Sequence, residues 1–420
     1  MRKIAGLFSL LLALASVAAG QQAPRQTEAD AYTRYELLAP DSASFKIYYE
    51  ITATTAGAKY YYNPIRAGST ASDEAVYDAM TGTPLKFAVV TAAEARQDPM
   101  MARANDSMDY IKVTLARPVP EAGEGRIRII KTYKDAKSYF QQGGEIVFNR
   151  PLGIQRNQVV LPPGYQLTSC NVPSQVLIQP DGRIAISFMH AGSGEAPLIL
   201  HARLGAATTP PRALTTQRSW EAPASQGPTE RSRLSQRALQ DRDIVYFLDS
   251  PETHAFSLYH DYTESDPAAH AYYNVVREGS TVSNPSAYVL DTGEKLDARV
   301  MTGSELKAAR INPGETVGDA TQVVVIPFTP VKAGASVRLR ISETYTAPAS
   351  YRLEGDELVF DRSFGRPRNA VVLPAGWYVT DSASPAMVRQ LPDGRIRLDF
   401  WNDRNDSLGV LIKARHVIGN

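Results

Sequence analysis

The stretch NQVVLPPGYQLTSC (157–170) returns later in the chain, with changes, as NAVVLPAGWYVTDS (369–382). One such echo could be chance, but this one belongs to an ordered series. YYNPIRAGSTAS (61–72) pairs with YYNVVREGSTVS (272–283), and MTGTPLK (80–86) with DTGEKLD (291–297). RIRIIKTY (126–133) pairs with RLRISETY (338–345), and EIVFNRPLG (145–153) with ELVFDRSFG (357–365). PDGRI occurs at 180–184 and again at 392–396. Matches in one order at one spacing are the signature of an internal duplication.

Within each copy the apolar residues recur with period two. RIRII and RLRIS alternate charge with aliphatic side chains, which reads as a strand with one wet and one buried face. FKIYYEI, YIKVTL and RIAISF have the same character. Asp181-Gly182 and Asp393-Gly394 lie between such runs and predict tight type I′ hairpins. Long amphipathic patterns are missing, although TEADAYTRY (27–35) and TERSRLSQRALQ (229–240) each predict a short opening helix behind a Thr cap. The fold class is therefore all-β: two tandem homologous antiparallel β-sandwich domains joined by a flexible linker. The boundaries read as 1–20 signal peptide, 21–204 first repeat, 205–240 linker and 241–420 second repeat. The linker assignment follows from Pro, Ser, Thr, Ala and Gln without a sustained apolar period.

The leader assignment follows from MRK, the apolar run IAGLFSLLLALASV and the small residues Ala18-Ala19-Gly20, the pattern of a Sec-type signal peptide. The expected location is extracytoplasmic, periplasmic or secreted, and the mature chain holds no transmembrane segment. The full chain carries 45 basic and 44 acidic residues. Losing Arg2 and Lys3 leaves 43 against 44, so net charge gives no case for nucleic acid as a partner. The single cysteine, Cys170, excludes an internal disulfide.

In its element order each copy resembles the β-domain that precedes the catalytic domain in zinc aminopeptidases of the aminopeptidase N type. Paired strands end in an aromatic phrase, then VVLPPGY or VVLPAGW, then PDGRI and a final strand. The chain is also similar to secreted bacterial proteins built from tandem β-domains. The resemblance implies architecture and not peptidase activity, because the chain holds no HExxH.

No catalytic residue, metal site or cofactor emerges. The six histidines have no histidine counterpart in the other copy. Ser304-Glu305-Leu306-Lys307 has SxxK spacing, but the motifs that accompany it in enzymes are missing. Four acids recur, as Glu50/Asp261, Glu94/Glu305, Glu145/Glu357 and Asp181/Asp393. The candidate binding residues are the recurring Tyr, Asn and Arg. They are Tyr62, Asn63, Arg66, Arg150, Arg156 and Asn157 in the first copy, with Tyr273, Asn274, Arg277, Arg362, Arg368 and Asn369 in the second. Arg offers a planar donor fork and Tyr an aromatic face with a hydroxyl, a surface for saccharides, carboxylates or extended peptides. The same residues also serve loops, where Arg binds backbone carbonyls and Asn shapes turns. The function expected is a non-catalytic binding or scaffold protein of the cell envelope, its partner an envelope ligand or protein. The alternatives are a secreted hydrolase with its site between the domains, or accessory β-domains for a separate peptidase.

Overall fold

The computed structural model describes residues 25–205 and 236–416, apart from 67, 193, 268 and 404–405. The stretch read as a signal peptide, 1–20, and most of the stretch read as a linker, 205–240, lie outside the described residues. Every strand ladder lies within one of two groups, spanning 32–204 and 243–416.

In the first group a seven-stranded sheet runs in the order Gln175–Ile178, Ile184–Met189, Arg156–Val160, Tyr32–Leu37, Ser44–Ala53, Gly125–Lys134, Thr70–Asp78. In the second, Met387–Gln390, Ile396–Trp401, Arg368–Val372, Asp243–Leu248, Ala255–Glu264, Val337–Thr346 and Thr281–Val289 repeat that order, and Glu294–Leu296 adds an eighth strand. Four-stranded sheets containing Glu145–Leu152 and Glu357–Phe364 face these large sheets, and a three-stranded sheet completes each copy. Pairing is antiparallel with one exception per copy. Tyr32–Leu37 runs parallel to Arg156–Val160, and Asp243–Leu248 runs parallel to Arg368–Val372.

The alternation read in the sequence is realised as burial. Along Ser44–Ala53, Phe45, Ile47, Tyr49 and Ile51 point into the core. Their rings and branches meet residues of the facing sheet, so each copy closes around a sandwich core. The aromatic centre is duplicated: Phe45 meets Phe148 edge-on at 5.3 Å between centroids, and Phe256 meets Phe360 at 5.8 Å. Edge-to-face rings add roughly 0.5–1.5 kcal/mol beyond their buried area.

The repeated phrase is a strand end. Val159, Val160 and Leu161 are buried, as are Val371, Val372 and Leu373. Gly164 and Gly376 turn at φ +81° and +80°, where a side chain would be strained. Tyr165 and Trp377 then open the next strands.

Two local expectations are corrected. The 27–35 stretch is not a helix, because Tyr32–Leu37 is a strand between two others. Its Tyr32 and Tyr35 are buried at odd spacing from strand alternation, and tertiary pairing overrides the Thr cap signal. Residues 236–240 form a turn, and 229–235 lie outside the described residues. The Asp-Gly hairpins are also not type I′. Gly182 N–H bonds to Gln179 O, and Gly394 N–H to Leu391 O, with positive φ only at the glycines. Pro180 and Pro392 hold φ negative at the first central position, so a type I turn followed by a left-handed Gly forms instead.

Candidate functional site

The polar face of RIRII and RLRIS is where the structure departs most from a wet strand. Arg126 and Arg338 are 7% and 4% exposed. Both are covered by the opposite copy. Arg126 Nε and Nη2 donate to the Asp291 carboxylate, each at 2.8 Å. Arg338 Nε lies 3.1 Å from Glu124 Oε1, and its Nη groups lie 3.5 Å from Asp30 and 3.7 Å from Asp241.

Asp30 is the centre of this network. Arg156 donates to it at 2.7 and 3.0 Å, and Arg368 at 3.0 and 2.8 Å. Burial would raise the Asp30 carboxyl, but Arg156, Arg368 and Arg338 together outweigh it and hold the group far below the carboxylate range. Most of these residues are duplication mates: Asp30 with Asp241, Arg126 with Arg338, Arg156 with Arg368. The contacts across the interface are reciprocal as well. Glu124 N–H donates to Leu290 O at 3.0 Å, while its mate Ser336 donates N–H to Met80 O at 3.0 Å and Oγ–H to Ala79 O at 2.8 Å. Reciprocity of this kind is the pattern of an isologous interface.

Among the clefts at the interface, two are mates. The larger, about 720 Å³, is lined by Glu28, Ala29, Asp30, Ala31, Thr54, Glu124, Asp261, Leu290, Arg338, Arg340 and Arg368, among others. The smaller, about 550 Å³, is lined at the corresponding positions by Leu239, Gln240, Asp241, Arg242, Ser265, Ser336, Glu50, Ala79, Arg126, Arg128 and Arg156. In both, a guanidinium grips the acid across the neighbouring strand: Arg340 holds Asp261 at 2.8 and 2.7 Å, and Arg128 holds Glu50 at 3.0 and 2.6 Å. The larger cleft also contains Asp243 and Tyr259. Burial raises the carboxyl pKa of both Glu124 and Asp243.

The residues singled out in the sequence do not converge on one place. Arg156 and Arg368 meet at Asp30 and line opposite clefts. Asn157 and Asn369 are buried at the second position of the strands Arg156–Val160 and Arg368–Val372, donating Nδ2–H back to Ile154 O and Arg366 O just before each strand. Arg66 and Arg277 reach the carbonyls of Pro151 and Ser363. Arg150 and Arg362 lie over mated core rings, Phe45 with Tyr133 and Phe256 with Tyr345. Asn63 is buried and accepts from Lys131 Nζ at 2.6 Å, while Asn274 donates to Glu343. Tyr62 is buried, donates to Asp98 and lines an apolar pocket with Met100, Met101 and Tyr110. Tyr273 is half-buried beside Leu306, Val323 and Val325.

The recurring acids have local partners. Glu94 and Glu305 complete capping boxes with Thr91 and Thr302. Asp181 and Asp393 hold Arg183 and Arg395. Glu145 pairs with Arg203, and Glu357 with Lys413. Of the four pairs, only Glu50/Asp261 reaches the clefts. The SxxK stretch lies on the short helix Gly303–Ala308, where Lys307 pairs with Asp319.

Sequence reasoning missed Asp30, Asp241, Asp243 and Glu124. The recurrence of Asp30 as Asp241, two residues before a mated strand, was the available signal. Nothing marked Asp243 or Glu124, since their mates are Tyr32 and Ser336.

No family model matches the chain, and no curated protein matches it. Among solved structures it is similar to the M1 zinc metallopeptidase of Deinococcus radiodurans, at 11% identity over 43% of this chain and 42% of that one, with a TM-score of 0.29. An aminopeptidase N family protein of Idiomarina loihiensis matches at 12% identity over 41% and 29% of the two chains, TM-score 0.24. The collagen adhesin of S. aureus matches at 6% identity over 81% and 86%, TM-score 0.18. The likeness to the peptidases is partial. It spans less than half of either chain, and the sequence has no zinc-binding HExxH.

Proposed function

We propose that this chain is an extracytoplasmic, non-catalytic binding protein of the cell envelope that takes a polar ligand in the clefts between its two copies. One observation carries the reading: the duplication has produced two clefts of matched lining on either side of one buried charge hub. The hub ties the copies together. The clefts combine guanidinium forks, carboxylates and, in the larger one, the Tyr259 ring, a set that orients saccharides or peptides. Two equivalent clefts suit a repetitive ligand, because the second engagement gains from effective concentration. Of the recurring residues, Arg156, Arg368, Glu50 and Asp261 line these clefts.

The test is a titration of neutral oligosaccharides and blocked peptides against the purified chain. Binding is expected to weaken in Tyr259→Ala and in Arg128→Ala. Binding that both variants leave intact places the site elsewhere and sinks the proposal.

A hydrolase is the second reading. It is favoured by Glu124 and Asp243, two carboxyls with raised pKa in one cleft, since a general acid must stay protonated near working pH. It requires turnover that Asp243→Asn abolishes. Equal rates in wild type and variant reject it.

A further inference from the structure

We propose that the larger cleft takes an organic cation, a primary ammonium or guanidinium group, seated on Asp243. The proposal rests on the reading that the clefts bind ligand, and names the chemistry of one of them.

The two clefts share a geometry but not a charge. The larger is lined by five carboxylates and three guanidinium groups, the smaller by four and five. The excess of acid comes from positions where the mates are neutral: Glu28 opposite Leu239, Glu124 opposite Ser336, and Asp243 opposite Tyr32.

Among the described residues of the larger cleft, Asp243 is the acid left without a hydrogen bond or salt bridge. Strand register places it beside Asp261 on one side and Arg368 on the other. Asp261 is held by Arg340, while Arg368 holds Asp30 through its two Nη groups and leaves its buried Nε without a hydrogen-bond partner. Among the described residues the Asp243 carboxylate makes no hydrogen bond or salt bridge, and burial pushes its pKa up more than the nearby charges of Arg368 and Arg397 lower it. An unpaired, partly buried carboxylate is unfavourable, and the fold does not demand one here. At the mated position the Tyr32 hydroxyl accepts from Gln236 Nε2 at 2.7 Å. A second acid in the same cleft is also incompletely satisfied. Glu124 is 6% exposed, and its Oε1 pairs with Arg338 Nε at 3.1 Å in a contact poorly aligned for a hydrogen bond.

A metal ion does not fit this arrangement, because no three Asp, Glu, His or Cys residues among those described gather closely enough to hold one. A ligand that brings its own N–H donors does fit. An ammonium or guanidinium group would supply the missing partner of Asp243 by a charge-assisted hydrogen bond.

The test uses the full chain and four probes: blocked tripeptides with a central lysine, glutamine or glutamate, and cadaverine. The lysine peptide is expected to bind roughly tenfold or more tightly than the glutamine peptide, a difference of about 1.4 kcal/mol. Asp243→Asn should erase that preference, and Asp243→Glu should keep it. Glu354→Gln, on the strand Tyr351–Glu354 outside both clefts, should change nothing. Because the mated position holds a neutral residue, Asp243→Asn is expected to fold, which an unchanged Tm checks. Cadaverine binding as well as the lysine peptide identifies a free amine as sufficient; weaker cadaverine binding assigns the cation to a peptide. Glutamine or glutamate peptides that bind as tightly as lysine, by a mode sensitive to Tyr259→Ala, overturn the cation while leaving the cleft in place. Binding of no probe, or binding that no cleft variant alters, overturns both.

Discussion

Asp30 and Arg368 stand 338 positions apart in the chain and are joined by two hydrogen bonds of 3.0 and 2.8 Å. Asp30 belongs to the approach to the first copy's large sheet, and Arg368 to the second copy's large sheet. The same carboxylate is gripped by Arg156, the mate of Arg368. One acid therefore answers two guanidinium groups that the duplication placed at equivalent positions.

Removing that acid leaves buried cations without compensation. Asp30→Ala is expected to cost about 3–5 kcal/mol in urea unfolding, the usual price of breaking a buried pair from one side. A loss below about 1 kcal/mol would show that water reaches the hub.

Acid should act through the same residue. The folded Asp30 pKa is depressed below its unfolded value of roughly 3.9. Its contribution is therefore complete above that value and is lost as pH falls toward the folded pKa. Wild type should lose stability steeply below about pH 4, and Asp30→Asn should flatten that part of the profile.

Lys131 predicts a dependence at the other end of the scale. It is buried in the first copy, and burial, with Arg150 second, lowers its pKa to about 7. The unfolded chain binds this proton up to roughly pH 10.4. Stability should therefore rise with pH between these values, where the unfolded state holds more protons. Lys131→Met should remove the slope. The mated Glu343, with its pKa raised, gives no such rise.

Gly123 tests the closeness of the copies. A Cβ there would lie 2.4 Å from Leu290 O and 2.9 Å from Pro120 Cβ. Gly123→Ala should loosen the interface while each sandwich keeps its core. Small-angle scattering should then show a larger radius of gyration, with an unchanged far-UV spectrum.

Arg150 and Arg362 occupy mated sites with unequal partners. Arg150 donates to Asp135 at 2.9 Å and to Ser138 at 3.2 Å, whereas one Nη of Arg362 is buried without a partner. Arg150→Met should destabilise by about 1–3 kcal/mol, the loss expected when a charged hydrogen bond is removed. Arg362→Met should be close to neutral, and equal losses would contradict the assignment.

Much of the architecture was legible because strands announce themselves locally. VVLP, PDGRI and the alternating runs needed only period two, proline and glycine to be read, and the repeat doubled each signal. The opening helix failed for the complementary reason: at 27–35 the cap residue was local, but the two flanking strands that claim Tyr32–Leu37 come from elsewhere in the chain. The candidate site was less legible. Arg156 and Arg368 recurred in the sequence beside Asn157 and Asn369, and recurrence alone could not separate the pair that meets at Asp30 from the pair that ties down the chain entering each strand.

By itself, the sequence determined the duplication, the all-β character and the residues available to both copies, because periodicity and turn chemistry act over a few neighbours. Only the tertiary structure decided that the polar face of RIRII and RLRIS is an interface, that Asp30 lies between Arg156 and Arg368, and that Asp243 makes no salt bridge among the described residues. Charges gain their meaning from groups within a few ångströms, and here those groups come from the other copy.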